Sequence, residues 1–261
     1  MSMEKDKAGI VVPENVKVKS LYKAIMLLFY FSEEDRELGI TELAEKSGLL
    51  KSSIYNMLST YEACGLVKRN PFTNKYYLGV RVLELSNQFY RNNDLRQVVK
   101  PHMEQIANET GETVFLGVLN GTEVIYLDAA FPDSSTGGRN MTGLKAPLYC
   151  TGIGKAMLAF ESEEKVDEVI RNGMEPFTEN TIVDGEQLRK ELALIRERGY
   201  ATDNMEHEYG IKCVAMPIRN ADGKVVASCS VTGPSLRFKC DKMVTLAAIL
   251  KKHAELLKDR I

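Results

Sequence analysis

Apolar residues recur at helical spacing through the first third of the chain and often alternate, as in strands, through the rest. The first pattern predicts a helix over residues 21–31 with Ser20 as its N-cap. Its expected buried stripe is Leu21, Ile25 and Leu28. Residues 1–19 are polar and are expected to form a disordered lead-in.

Two further short helices are predicted close behind the first. One covers "ELAEKS", with Thr41 as its cap and Gly48 as its end, and the next runs from Ser52 to Cys64 and ends at Gly65. The segment "LVKRNPFTNKYYLG" then predicts two short strands around a turn. Three helices, the last two separated by a short turn and followed by a hairpin, indicate a winged helix-turn-helix.

The third helix has two unlike faces. Its apolar side holds Ile54, Met57, Leu58 and Tyr61. Its opposite side carries hydroxyl and amide groups instead of the Glu and Lys pairs of a solvated helix, namely Ser52, Tyr55, Asn56 and Ser59. Such groups can hydrogen-bond phosphate oxygens and base edges, which favours a DNA-contacting face. The alternative for this helix alone is a solvent-exposed polar face that binds nothing.

Local charge favours DNA, although the overall composition does not. The chain has 261 residues, 44% of them hydrophobic, and a formal charge of -2. Between residues 50 and 81, however, five Lys and Arg residues stand against Glu62 alone. Local charge matters because salt screens phosphate attraction beyond about 8 Å. DNA contacts are therefore expected from Lys51, Ser52, Ser53, Tyr55, Asn56, Ser59, Lys68, Arg69 and Lys75.

From about residue 96 the pattern predicts an α+β domain on a mainly antiparallel sheet. Two hairpins are expected, "TVFLGVLNGTEVIYLDAA" with its turn at Asn120-Gly121, and "CVAMPIRNADGKVVASCSVTG". Helices are predicted near 152–160, 163–172, 185–198 and 242–258, after a loop rich in Gly, Ser and Thr over 132–145.

A helix over 79–93 is expected to link the two domains. Its stripe of Val82, Leu85 and Phe89 is suited to pairing with the same helix of a partner chain. The predicted organisation is therefore a lead-in over 1–19, a winged helix-turn-helix over 20–79, a linker helix over 80–95 and the α+β domain over 96–261.

Several protein classes are excluded by residue usage. The five cysteines are odd in number, widely spaced and without a CxxC motif, which predicts free thiols, no zinc site and a reducing compartment. The longest apolar runs fall far below the ~20 residues of a membrane span, and residues 1–19 lack the features of a signal peptide. We expect a cytoplasmic protein without membrane contact, metal or cofactor.

The sequence contains none of the enzyme motifs considered below in complete form. "TGIGKAMLAF" contains GxGK, but Tyr149 and Ala156 occupy positions where a phosphate-binding Walker loop needs Gly and Ser or Thr. The chain has no GxSxG elbow, no HExxH and no dinucleotide fingerprint, and its three histidines lie far apart. Catalysis is therefore not expected.

A binding pocket is the better hypothesis for the second domain. The helix that starts at Thr151 presents free N–H groups that attract an anion, although, for the glycines taken by themselves, plain helix–sheet packing is the better explanation. Ser228, Ser230 and Thr232 alternate along one strand and so share one face, which indicates either an exposed surface or a wet pocket.

The chain resembles the IclR (isocitrate lyase regulator) family of bacterial transcription factors from Ser20 to the final helix. The matching segments are "SLYKAIMLL", "TELAEKSGLLKSSIYNMLSTYEACGLV", "APLYCTGIGKAMLA", "RGYATDNMEHEYGIKCVAMPI" and "VASCSVTGP". The resemblance implies a winged helix-turn-helix joined by a helix to a GAF-like effector domain. It also implies homodimers, often paired into homotetramers on operator DNA, and a small organic acid or aromatic compound as effector.

The resemblance also implies which residues contact the effector. They are the N–H groups of Gly152 and Ile153, together with Asp203, Cys213, Ser230 and Thr232. Met205 departs from the family pattern, where an acidic residue is common, so the identity of the effector stays open.

The predicted function is an effector-controlled regulator that binds palindromic operator DNA. Two alternatives come from other classes. An architectural DNA-binding protein would bind without effector control, and an enzyme on the GAF-like fold would need a nucleophile–base pair.

Overall fold

The computed structural model describes residues 10, 12–32, 35–133, 138–258 and 260–261. It divides into two compact units, Met1–Asn92 and Asn93–Ile261. Most of the expected lead-in and the middle of the loop over 132–145 lie outside the described residues. Within the lead-in, the N–H of Ile10 donates to the carbonyl of Ser47 at 3.0 Å, so Ile10 lies against the helices of the first unit.

Helix α1 (Lys19–Leu28) differs from its prediction in both its start and its buried face. No side chain caps it, and Ser20 lies inside the helix, so the predicted cap is wrong. Leu21 and Ile25 are 56% and 47% exposed, whereas Leu27 is fully buried. Both faces of α1 carry apolar residues, and periodicity alone does not tell which face meets the core.

Helix α2 (Ile40–Ser47) begins after Gly39, whose N–H donates to the carboxylate of Glu42 at 2.6 Å. Glu42 therefore satisfies the start of the helix, and the prediction that Thr41 caps it is wrong. Gly48 ends the helix as predicted, with the left-handed φ of 68° that favours glycine.

Helix α3 (Lys51–Ala63) leads into a hairpin of β1 (Val67–Arg69) and β2 (Tyr76–Leu78), which pair antiparallel as predicted. Leu38, ahead of α2, adds a single bridge to the outer side of β2. The core of this unit consists of Leu27, Leu38, Leu43, Ile54, Leu58, Tyr61, Val67 and Tyr76.

Helix α4 (Val82–Arg91) follows the hairpin and buries none of its residues. The predicted apolar stripe is on its surface, with Leu85 60% and Phe89 52% exposed. This helix therefore carries an apolar face that the described residues of its own unit do not cover.

The second unit opens with α5 (Asp94–Thr110), a helix for which no prediction was made. The side chain of Asn93 caps it by accepting the N–H of Arg96 at 2.9 Å. Pro101 lies inside the helix, where proline removes a backbone donor. Its buried residues are Val99, Met103, Ile106 and Ala107.

A six-stranded antiparallel sheet forms the centre of the second unit, in the order β5-β4-β3-β8-β7-β6. The predicted hairpins are confirmed as β3 (Thr113–Asn120) with β4 (Glu123–Ala130), and β7 (Ile211–Arg219) with β8 (Val225–Pro234). The two edge strands, β5 (Lys145–Pro147) and β6 (Ala201–Asn204), were not predicted. The α+β fold class is confirmed.

Helices cover both faces of this sheet. On one face lie α6 (Gly152–Leu158), α7 (Glu163–Arg171) and α8 (Gly185–Arg198), and on the other lie α5 and α9 (Cys240–Leu257). Alternate residues of β7 serve the two layers: Cys213 and Ala215 meet α6, while Met216 and Ile218 meet α5 and α9. No described helix combines the length and apolar character that a membrane crossing needs.

Candidate functional site

The outer face of α3 is polar and exposed, with Glu62 at its edge near the end of the helix. Ser52, Tyr55, Asn56 and Ser59 are all exposed, as is Lys51, and Ser53 is half-buried. On the opposite side Ile54 and Leu58 are fully buried and Tyr61 is 8% exposed. The face of α3 that was predicted to contact DNA is therefore exposed to solvent, and the apolar side of the helix packs in the core.

The hairpin beside α3 carries two exposed cations and one cation that forms an ion pair. Lys68 and Arg69 on β1 are exposed, and the Arg69 guanidinium lies 5.9 Å from the centre of the Tyr76 ring. Lys75 instead donates to the carboxylate of Glu42 at 2.7 Å. Two hydrogen bonds lower the pKa of Glu42. The one from Lys75 has the larger effect, and the one from the Gly39 N–H has the smaller. Part of the charge of Lys75 is thus matched within the unit.

In the second unit, a cavity of about 540 Å³ lies where the start of α6 meets strands β6, β7 and β8. All six residues that the family resemblance implies as effector contacts line it, namely Gly152, Ile153, Asp203, Cys213, Ser230 and Thr232. These residues come from four elements, and the fold brings them together.

The start of α6 packs directly on the sheet. Thr151 caps the helix, since its hydroxyl oxygen accepts the N–H of Gly154 at 3.1 Å. A Cβ at Gly152 would overlap the sulfur of Cys213, and one at Gly154 would overlap the backbone at Leu148. Close packing on the sheet therefore accounts for Gly152, and close packing on the turn before the helix accounts for Gly154. Burial raises the pKa of the Cys213 thiol, toward which the Gly152 N–H points.

The hydroxyl groups on β8 have separate roles. Ser230 is buried, and its hydroxyl oxygen lies 3.3 Å from that of Thr232 on the cavity wall. Ser228 is fully buried, and its hydroxyl donates to the carbonyl of Met216 at 3.1 Å. Of the interpretations left open by the sequence, an exposed surface is wrong, and two of the three hydroxyls line the cavity.

A buried network of charged groups reaches the cavity wall through Asp203. Asp203 is 6% exposed, and burial raises its pKa to about 7. The N–H of Glu206 donates to the Asp203 carboxylate at 2.7 Å, and the Lys155 ammonium donates to the Glu206 carboxylate at 2.5 Å. Burial also raises the pKa of Glu206, against the opposing effect of Lys155. Met205 adopts a left-handed φ of 62° in the turn that connects these carboxylates.

The rest of the cavity wall was not predicted from the sequence. Phe115, Tyr126, Met141 and Ile211 supply apolar surface, and Glu112, Arg139, His207 and Arg237 supply polar groups. Burial raises the pKa of Tyr126 and lowers that of His207. Glu112 accepts two hydrogen bonds from Arg237, at 2.9 and 2.6 Å, and one from Lys242 at 2.7 Å. The alternation of β3 could have suggested Phe115, but only the folded sheet gathers the others.

None of the five cysteines forms a disulfide: Cys64 and Cys240 are exposed, and Cys150, Cys213 and Cys229 are buried. Within the described parts of the chain, no group of three His, Cys, Asp or Glu side chains is arranged to hold a metal ion.

Known proteins match both units. Residues 20–71 match the family model described as "IclR helix-turn-helix domain", and residues 87–258 match "Bacterial transcriptional regulator IclR C-terminal". The HTH-type transcriptional regulator KdgR of Escherichia coli is 33% identical over 239 residues, which cover 91% of this chain and 90% of KdgR.

Two crystal structures show the same fold. An IclR transcriptional regulator from Alicyclobacillus acidocaldarius matches with a TM-score of 0.83 at 28% identity, over 93% of this chain and 98% of the other. An IclR homologue from Microbacterium hydrocarbonoxydans, complexed with 4-hydroxybenzoate, matches with a TM-score of 0.78 at 24% identity, over 92% and 98% of the two chains.

Proposed function

Because the chain belongs to the IclR family of bacterial transcriptional regulators, we propose that its cavity binds a small carboxylate and that this binding changes its affinity for operator DNA. The proposal rests on one observation: the six residues that the family resemblance implies as effector contacts all line the same cavity. Its volume of about 540 Å³ lies within the roughly 300–1,000 Å³ of ligand pockets in general.

The proposed anchor of the carboxylate is the start of α6. In the described chain, neither the Gly152 N–H nor the Ile153 N–H donates to a carbonyl oxygen, and the former points at the sulfur of Cys213. A thiol is a weak acceptor, so a carboxylate oxygen is a better partner for this donor. Two backbone donors would hold the anion without a Lys or Arg side chain.

The proposed role of Asp203 depends on its proton. With its pKa raised to about 7 by burial, a large share of Asp203 is neutral at physiological pH. A neutral carboxyl group donates to an effector oxygen and does not repel the anion. Ser230 and Thr232 would bind the remaining oxygens, and the apolar wall at Phe115 and Tyr126 would cover the carbon skeleton.

The proposed DNA contacts are the exposed face of α3 and the cations of the hairpin. A helix fits the major groove, where Asn and Ser side chains hydrogen-bond base edges, and Lys68 and Arg69 suit phosphates. Lys75 is the weakest of the predicted contacts because Glu42 already binds it. Operator DNA lies in the bacterial cytoplasm, and the protein is expected to act there.

We further propose a homodimer as the minimal DNA-binding form, with homotetramers formed by pairing dimers. The support is the apolar face of α4, where Leu85 and Phe89 are each more than half exposed. A second copy of the same helix would cover such a face. Two-fold symmetry in the protein then implies a palindromic operator.

The test combines two measurements on the full chain. Operator DNA is first selected from a random duplex library with the wild-type protein, and its affinity is measured by fluorescence anisotropy with and without a panel of small carboxylic acids. The acid that changes operator affinity is then titrated calorimetrically into wild type and into Ser230→Ala.

Ser228→Ala is the matched control, because Ser228 is on the same strand and buried but bonds the backbone. Ser230→Ala should weaken effector binding about five- to tenfold, the loss expected for one hydrogen bond. Equal affinities in both variants would contradict the proposed site. Operator affinity that no acid alters would favour a DNA-binding protein without effector control.

A further inference from the structure

The tip of the hairpin between β1 and β2 carries Phe72, whose side chain is 93% exposed. No other large apolar side chain in the described ranges is as exposed. Single exposed apolar residues are ordinary on protein surfaces and by themselves indicate nothing. What distinguishes Phe72 is its place, at the end of the hairpin that follows the DNA-reading helix.

The turn that carries Phe72 is held by a network of side chains. The carboxamide oxygen of Asn70 accepts the N–H groups of Phe72 and Thr73, at 2.9 and 3.4 Å. The Asn70 amide and the Thr73 hydroxyl both donate to Glu37, at 2.8 and 3.0 Å. The ring is therefore presented by a preorganised turn, which reduces the entropy lost when it binds.

Charge directs this tip toward DNA. From Asn70 to Asn74 the turn contains no acidic residue, and the exposed Lys68 and Arg69 lead up to it on β1. Glu37, the carboxylate beside the turn, accepts hydrogen bonds from Asn70 and Thr73 and holds the turn in place. The exposed cations Lys68 and Arg69 attract phosphates, and the tip beyond them presents an apolar side chain without charge of its own.

We propose that Phe72 inserts as a wedge between two base pairs in the minor groove that adjoins the segment read by α3, and so kinks the operator. When α3 occupies the major groove, the hairpin beside it crosses the phosphate backbone, and its tip meets the minor groove, which is about 6 Å wide. Apolar side chains such as Phe unstack base steps there and bend the duplex.

This inference rests on the proposed DNA contacts and adds a preference of its own. Pyrimidine–purine steps such as TA and CA unstack most easily, so the selected operators should carry one at a fixed distance from the bases read by α3 in each half-site. Phe72 would then contribute to sequence selection without hydrogen-bonding any base.

The experiment uses the full chain and a duplex selected by the wild-type protein. Bending is measured by energy transfer between dyes at the duplex ends, and unstacking by the fluorescence of 2-aminopurine placed at successive steps beside each half-site. The variants are Phe72→Ala and Phe72→Leu. The control is Leu194→Ala, which shortens a 51% exposed apolar side chain on α8 in the other unit.

Wild type should bend the duplex and brighten 2-aminopurine at one step per half-site. Phe72→Ala should lose the 2-aminopurine signal, bend the duplex less and bind about tenfold more weakly. Phe72→Leu should keep part of each effect, and Leu194→Ala all of them. Thermal melting of Phe72→Ala like that of wild type would show that it is folded.

Two results would overturn the wedge while leaving DNA binding intact. One is a Phe72→Ala complex with unchanged bend and 2-aminopurine fluorescence. The other is a Phe72→Ala protein whose sedimentation without DNA differs from wild type while its bend does not, which would assign the ring to a protein contact. A wild type that selects no duplex at all would instead refute the proposed DNA contacts.

Discussion

Replacing Asp203 with Asn should stabilise the second unit progressively as the pH rises from 4 to 7. The carboxyl group has an ordinary pKa of 3.8, which burial raises to about 7 in the folded protein. Between these values the folded state holds a proton that the unfolded state has released, so wild-type stability falls as pH rises. Asn keeps an oxygen for the N–H of Glu206 but does not titrate.

The size of the effect follows from the pKa shift of Asp203. At 1.36 kcal/mol per unit, a rise from 3.8 to about 7 corresponds to about 4 kcal/mol over the full pH range. Between pH 5 and pH 8 the wild type should lose about 2–3 kcal/mol of unfolding free energy that Asp203→Asn keeps.

Urea denaturation followed by circular dichroism at pH 5, 6, 7 and 8 measures this difference. Hydrogen exchange at the amides of β6 and β7 assigns it to the second unit. Asp222→Asn is the control, since Asp222 is exposed in the turn between β7 and β8. Parallel pH profiles for wild type and Asp203→Asn would refute the reasoning, because they would mean that Asp203 ionises without cost.

Two further groups of variants test other parts of the protein. Lys68→Ala should weaken binding to every DNA sequence and reduce the slope of log affinity against log salt by about one unit. Asn56→Ala should change the preferred bases in a repeated selection. If the selectivity of Asn56→Ala is unchanged, another face of α3 reads DNA. Lys155→Met should cost about 3–5 kcal/mol in urea denaturation, because it leaves the Glu206 carboxylate buried without its cation. Adding Glu206→Gln should restore part of that loss, and a double variant no more stable than Lys155→Met would argue against the ion pair as the cause.

Local patterns predicted those elements whose two faces differ in polarity. α3 was predicted correctly because buried Ile54 and Leu58 lie on one face at helical spacing and exposed Ser and Asn residues lie on the other. The β3–β4 hairpin was placed by its alternating apolar residues and by Gly121, whose φ of 61° suits the tight turn. Here side-chain periodicity and turn chemistry agree.

The elements that were missed lack such contrast. Both faces of α1 are apolar, so only the packing of Leu27 decides which one is buried. β5 and β6 are three and four residues long, too short to show a period, and form through pairing with β4 and β7. α5 contains Pro101, which reads locally as a helix breaker.

Local patterns predicted a pocket from the helix start at Thr151 and the alternating hydroxyls of β8, but the full set of six residues came only through the family resemblance. These six residues lie on four elements, α6, β6, β7 and β8, and no local pattern joins one element to another. Lys155 shows why: a lysine is normally assigned to the surface, yet it is 1% exposed because the fold brings Glu206 to it. Tertiary pairing of this kind leaves no trace in the spacing of the residues.

The strands β7 and β8 divide their side chains between two tasks. Cys213 faces Thr232 across the pair and Ala215 faces Ser230, all toward α6 and the cavity, while the residues between them, such as Val214 and Val231, point to the α5 and α9 layer. Substitutions at Ser230 and Thr232, which line the cavity, can therefore alter what it accepts while the side chains on the other face of the same strand stay unchanged. The chemistry of the cavity wall and the packing of the α5 and α9 layer are thus set by different residues of one strand.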